Sequence, residues 1–122
     1  EDNARTIVGP VISERCKPEL RNHTIETAGI LNKAGVPMCI CTDHPVVPEQ
    51  YLPLSAGLAV RGGLDRDEAL KAITIYPAQI TGIADRVGSI EVGKDADIVI
   101  FSGDPLSVCD TPDMVIVNGT VI

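Results

Sequence analysis

The apolar run Val36-Pro37-Met38-Cys39-Ile40-Cys41 closes on Thr42-Asp43-His44, and no other stretch constrains the fold as much. Such a run, stopped by a polar triplet, reads as a buried strand over residues 36 to 42. Upstream, Thr6-Ile7-Val8 reads as a short strand stopped by Gly9-Pro10. Residues 11 to 22 read as a loop broken at Pro18. Residues 23 to 34 read as a helix, because Ile25, Ala28, Leu31 and Ala34 recur every three positions. Gly35 is placed to stop that helix and Pro37 forbids its continuation. Strand, helix and strand in this order favour a parallel pair joined by a crossover helix. Asp43 then sits at the C-terminal end of the second strand.

A Pro-rich loop follows, His44-Pro45-Val46-Val47-Pro48. Residues 49 to 60 read as a helix ended by Gly62-Gly63. The next helix has a sharper start: Asp65 as cap, with Glu68 three residues on to complete a capping box. Pro77 disfavours helix at Tyr76, so this helix is expected to break there and restart as a short one ending near Gly82. From Arg86 the pattern turns to strands. Residues 88 to 94 read as a short strand and turn, and residues 98 to 101 as a strand with no polar face. Residues 115–117 and 120–122 flank Asn118-Gly119, the pair preferred in type I′ hairpins. Residues 1–85 are thus expected to be α/β and residues 86–122 β.

Composition narrows the classes of function. The chain has 122 residues, 44% of them hydrophobic, enough for one domain with a core. Aromatics are 2%, with no Trp, so the core must rest on Ile, Val, Leu and Ala. A formal charge of −7 argues against a nucleic-acid surface or an anionic membrane as partner. No apolar stretch reaches the roughly 18 residues of a membrane-spanning helix. Glu1-Asp2-Asn3 does not read as a signal peptide, and the missing initiator Met is expected of a segment cut from a longer protein or of a processed start. Of the four cysteines, Cys39 and Cys41 face the same way on one strand, while Cys16 and Cys109 lie in distant loops. They are expected to be reduced thiols in a cytoplasmic protein.

Four segments, in order, carry a resemblance: Thr42-Asp43-His44 after its strand, residues 68 to 74 (EALKAIT) with Pro77-Ala78, residues 88 to 99 (GSIEVGKDADIV), and residues 115 to 119 (VIVNG). Together they resemble the C-terminal part of the metal-dependent amidohydrolase superfamily, in its imidazolonepropionase-like branch. The resemblance spans residues 36 to 119. It implies an α/β fold made of the last strands and helices of a (β/α)8 TIM-like barrel over residues 1–85. Residues 86–122 would then supply strands of a small β-sandwich. Residues 6–8 would be barrel strand 7 and residues 36–42 strand 8. A full barrel needs about 250 residues, so the chain would hold only part of one. Tyr76 stands where the family usually has Asn, an N-cap for a helix begun by Pro77.

The resemblance implies that Asp43 is a metal ligand and the general base that activates the hydrolytic water. The physics is compatible. On an alternating strand Cys39, Cys41 and Asp43 share a face. A carboxylate at a barrel mouth can ligate a divalent cation such as zinc, and can take a proton from metal-bound water, whose pKa falls toward ~7. The plainer alternative is a capping or loop Asp. His44 is expected to touch substrate or to support a ligand, since neighbouring strand residues point to opposite faces; a surface role is its alternative. The family's other metal-site residues, a His-x-His on strand 1, ligands on middle strands and often a carboxylated lysine, would precede this segment. The whole protein is accordingly expected to hydrolyse carbon–nitrogen bonds in small linear or cyclic amides or heterocycles, and the 122-residue chain alone to be inactive. Exposed strand edges predict a homo-oligomer.

Other patterns carry less. His23 has no motif partner and reads as structural or solvated. Gly88-x4-Gly93-Lys94 lacks the Ser or Thr and the following helix of a phosphate loop. Asp95-Ala96-Asp97 lacks the Gly and Glu of a calcium loop. Two further readings stay open: a non-catalytic α/β binding or interaction module, and a redox or metal-transfer protein using Cys39 and Cys41.

Overall fold

The computed structural model describes residues 4–15 and 17–122; the reading of Cys16 lies outside them. Strand β1 (Thr6–Val8) and strand β2 (Met38–Ile40) form a parallel two-stranded sheet with Thr6 beside Met38, Ile7 beside Cys39 and Val8 beside Ile40. The crossover helix α1 is shorter than expected, Thr27–Lys33. Its start is displaced because Thr24 takes the preceding backbone into a turn: its hydroxyl accepts from the Glu26 N–H at 3.3 Å and its carbonyl accepts from the Thr27 hydroxyl at 2.9 Å. Gly35, at φ +72°, ends it.

A 3-10 turn (Glu49–Tyr51) leads into helix α2 (Leu52–Arg61), with Pro53 in its first turn where no intrahelical N–H is needed. Helix α3 (Arg66–Ala72) is capped by Asp65, whose carboxylate accepts from the Asp67 N–H at 2.9 Å and the Glu68 N–H at 3.2 Å. The reciprocal half of the capping box does not form, because the Glu68 carboxylate is engaged elsewhere. Helix α4 (Ile75–Thr81) begins two residues before Pro77. Tyr76 is therefore not an N-cap; Thr74 holds that position, and Pro77 sits in the first turn where its missing N–H costs nothing.

The core is built from Met38 and Ile40 of β2 together with Ala28, Ala56, Ala59, Ala69 and Ala72. Alanine on α1, α2 and α3 lets these helices approach the strand closely. Val11, Leu64 and Leu106 complete the cluster. Leu106 comes from the far end of the chain, and its carbonyl lies so near Gly57 of α2 that a Cβ there would approach it to 2.6 Å.

Strands β3 (Ile98–Ile100), β4 (Met114–Val117) and β5 (Thr120–Val121) form an antiparallel sheet in that order. Asn118 and Gly119 both have positive φ, +48° and +77°, as a type I′ turn requires. The strand expected within residues 88–94 is absent. That segment turns at Gly88 and Gly93, both at positive φ, and leaves Ile90 and Val92 exposed without a pairing partner.

Candidate functional site

β1 and β2 run in the same direction, so the loops that follow them open at one end of the sheet. Gly9 marks the seam. A side chain there would collide with the Cys41 carbonyl, so only glycine lets the ends of the two strands meet. The loop after β1 is fixed by Val11, which enters the core, and by the His23 ring, whose Nε2 lies 2.9 Å from the Pro10 carbonyl oxygen. The Arg15 guanidinium donates to the His23 carbonyl at 3.0 and 3.2 Å. His23 is thus a half-buried structural residue.

Ladder pairing ends where the Cys41 N–H donates to the Val8 carbonyl at 3.0 Å. Thr42 is buried, whereas Asp43 and His44 are exposed. Asp43 adopts φ +55°, and its carbonyl accepts from the Val46 N–H at 2.8 Å, so the chain turns sharply at this residue. Asp is one of the few side chains that tolerate this left-handed conformation. The alternation that grouped Cys39, Cys41 and Asp43 on one face therefore stops before Asp43, whose side-chain direction is set by the turn. For the same reason strand geometry does not separate His44 from Asp43. Among the described residues no hydrogen bond is made by the Asp43 carboxylate.

No cluster of three or more His, Cys, Asp or Glu able to hold a metal ion occurs among the described residues. Asp43 and His44 alone do not amount to a metal site, which needs about three protein ligands when catalytic. The thiols of Cys39, Cys41 and Cys109 are free. Burial, then the proximity of Cys41, pushes the Cys39 thiol above its ordinary range. That is the reverse of what a reactive or soft-metal thiolate needs, and it counts against redox chemistry at Cys39.

The opposite end of β2 holds a network that the sequence reading missed. Glu68 accepts from the Lys71 ammonium at 2.8 Å, the Tyr76 hydroxyl at 2.7 Å and the Asn32 amide at 3.3 Å. Lys71 first, then Tyr76, hold the Glu68 carboxyl below its usual range, and Glu68 in turn raises the Tyr76 hydroxyl. Asn32, Glu68 and Tyr76 border a cavity of about 840 Å³, which also meets Val36, Pro37 and Met38. It lies at the N-terminal end of β2, away from Asp43. The three-residue spacing of Glu68 and Lys71 was visible in the sequence; Asn32 and Tyr76 joined them only through folding.

The chain, with an exposed carboxylate just beyond the C-terminal end of a parallel strand pair, belongs to the amidohydrolase family, whose model matches residues 3–122. Its nearer affinity is with the imidazolonepropionase-like branch. An imidazolonepropionase from Geobacillus kaustophilus is 46% identical over 72 residues, 57% of this chain and 17% of that protein. The amidohydrolase tasK of Hapsidospora irregularis is 35% identical over 104 residues, 85% of this chain and 11% of its own length. The crystal structure of an amidohydrolase from Thermotoga maritima superposes with a TM-score of 0.90 at 40% identity, over 95% of this chain and 30% of that one. The chain therefore spans less than a third of each of these relatives. The structural relatives imply a TIM-barrel-type fold.

Proposed function

We propose that this chain is the C-terminal segment of a metal-dependent hydrolase acting on carbon–nitrogen bonds of small linear or cyclic amides or heterocycles. Asp43 is its metal ligand and general base, and His44 contacts substrate. The observation that carries this reading is the place of Asp43: a carboxylate without a hydrogen-bond partner among the described residues, at the C-terminal end of one of two parallel strands, in an amidohydrolase chain. Barrel enzymes keep their reacting groups at that end. Residues 1–85 are read as the last part of the barrel and residues 86–122 as strands of a composite β-sandwich.

The metal is a divalent cation, zinc by the chemistry of mixed carboxylate and imidazole ligation, in a site whose remaining ligands lie outside this chain. What this segment contributes is Asp43: at the site, its carboxylate accepts a proton from the attacking water and returns it to the leaving nitrogen. The buried Thr42 and the Asp43–Val46 hydrogen bond hold the turn that presents it. The free thiols fit a reducing, cytoplasmic setting. No helix among the described residues is long and apolar enough to cross a membrane.

The test is Asp43→Asn in the full-length enzyme. Loss of a general base lowers kcat by about 10²- to 10⁴-fold, while the melting temperature should hold, because the side chain is exposed and Asn tolerates the same φ. Full activity in that variant would refute the role. The 122-residue chain alone should show neither amide hydrolysis nor stoichiometric tight metal by elemental analysis.

A further inference from the structure

The cavity of about 840 Å³ beside Glu68 has no part in the chemistry assigned to Asp43, since it lies at the opposite end of β2. Its apolar lining is chiefly Val36, Pro37 and Met38, with Ile80 of α4. Three charged side chains border it, Arg5, Glu68 and Asp85. Glu68 is already answered by the Lys71 ammonium and by the Tyr76 and Asn32 donors. The other two are not. Arg5 donates through Nη1 to the Gln79 carbonyl at 2.9 Å, which ties its guanidinium to α4 at the cavity rim. Among the described residues no carboxylate pairs with Arg5 and no cation pairs with Asp85, nor do these two pair with each other. The Nε–Nη2 edge of Arg5 thus keeps the forked donor pair that fits a carboxylate. A concave, largely apolar cavity with a few polar groups at set places is the ordinary form of a small-molecule site.

We propose that this cavity binds a free α-amino acid with an apolar side chain. Such a ligand carries one carboxylate, one ammonium and one apolar body. They match one unpaired guanidinium, one unpaired carboxylate and the apolar lining. The ligand carboxylate takes the Nε–Nη2 edge of Arg5, its ammonium donates to Asp85, and its side chain covers Val36, Pro37, Met38 and Ile80. A simple carboxylic acid would bring a second anion beside Asp85 and leave it unpaired. A simple amine would do the same to Arg5. Only a ligand with both charges answers both groups at once. Nothing in this site depends on hydrolysis at Asp43.

The experiment titrates the chain with L-leucine by isothermal calorimetry. Three companion ligands each lack one feature: isocaproate the ammonium, isoamylamine the carboxylate, and glycine the apolar body. Leucine is expected to bind saturably, one molecule per chain, and each companion at least fivefold more weakly. Arg5→Gln and Asp85→Asn should each weaken leucine at least fivefold. The control Glu14→Gln, an exposed charge on the loop after β1, leaves its affinity unchanged. Amide NMR on the same samples places the ligand: signals of Val36, Met38, Gln79 and Asp85 should move, and those of Asp43 and His44 should stay. No saturable binding up to the solubility limit of leucine overturns the proposal. So does isocaproate or isoamylamine binding as tightly as leucine, an affinity indifferent to both variants, or a set of shifts gathered at Asp43. Should a variant fail to fold, the comparison of ligands on the native chain decides alone. Because the readout is binding, an Asp43 without a hydrolytic role would leave a positive result standing, and a failure to bind leucine would leave the proposed hydrolysis untouched.

Discussion

Two carboxylates frame β2, and their surroundings assign them opposite work. Asp43 is exposed at one end, with no hydrogen-bond partner for its carboxylate among the described residues; Glu68 is bound by three donors near the other. Charge-assisted hydrogen bonds of this kind contribute about 1.5–3 kcal/mol when well shielded, and partial exposure reduces that. Glu68→Gln should therefore cost about 1–2 kcal/mol, read as a fall in denaturant midpoint. The pH dependence has a definite sign. The carboxyl of folded Glu68 lies below its ordinary value of 4.5, so its contribution is present above pH 4.5 and is lost as pH falls through the lower folded value. Melting curves below pH 4.5 should drop more steeply for the native chain than for Glu68→Gln. The place of Asp43 was legible, because an apolar run ending in a polar triplet locates a strand end. Its turned backbone was not, because periodicity assumes that the strand continues. Glu68 was misread as half of a capping box because two of its three partners, Asn32 and Tyr76, are brought to it by packing.

At the scale of elements, local signals served where a single residue decides the matter. Asp65 caps α3, Gly35 ends α1, and Asn118-Gly119 closes the β4–β5 hairpin. They failed where pairing depends on distant chain. Residues 88–94 alternate as a strand does, yet find no neighbour, and two glycines at positive φ turn the backbone away. The link between the helices and the C-terminal sheet was also hidden. Leu106 enters the core against α2, while Arg66 of α3 grips Asp104 at 2.7 Å and the Asp104 carboxylate accepts from the Leu106 N–H at 2.9 Å. The ion pair orients the segment, but it is exposed, and exposed pairs contribute little. Burial of Leu106 does most of the holding. Leu106→Ala should destabilise the chain by about 2–4 kcal/mol, against a much smaller loss for Arg66→Ala, both measured by chemical denaturation. Gly57→Ala should also destabilise, since its Cβ would press on the Leu106 carbonyl and backbone cannot yield as a side-chain tip does.

At the scale of the whole molecule, the C-terminal sheet is the least covered part. By register, Ile98, Ile100, Met114, Ile116 and Val121 share one face, and Val99, Val115, Val117 and Thr120 the other. One face is wholly apolar and the other is apolar but for Thr120, and Val99, Ile100, Met114, Val117 and Val121 are all exposed. A three-stranded sheet largely apolar on both sides is expected to find a second layer, and in a solution of this chain alone the available layer is another copy. Opposing this is a charge of −7 on every copy. The two forces respond differently to salt: screening shortens the reach of like-charge repulsion, to about 8 Å at physiological ionic strength, and leaves apolar burial intact. Association should therefore strengthen as sodium chloride is raised, whereas an assembly held by ion pairs would weaken. Sedimentation velocity across a dilution series at low and high salt should show dimers or higher oligomers gaining at the expense of monomer. The double substitution Met114→Glu with Val121→Glu should shift the distribution back to monomer at both salts. A native chain that stays monomeric throughout the series would mean that the apolar faces of this sheet are too small or too dispersed to drive assembly.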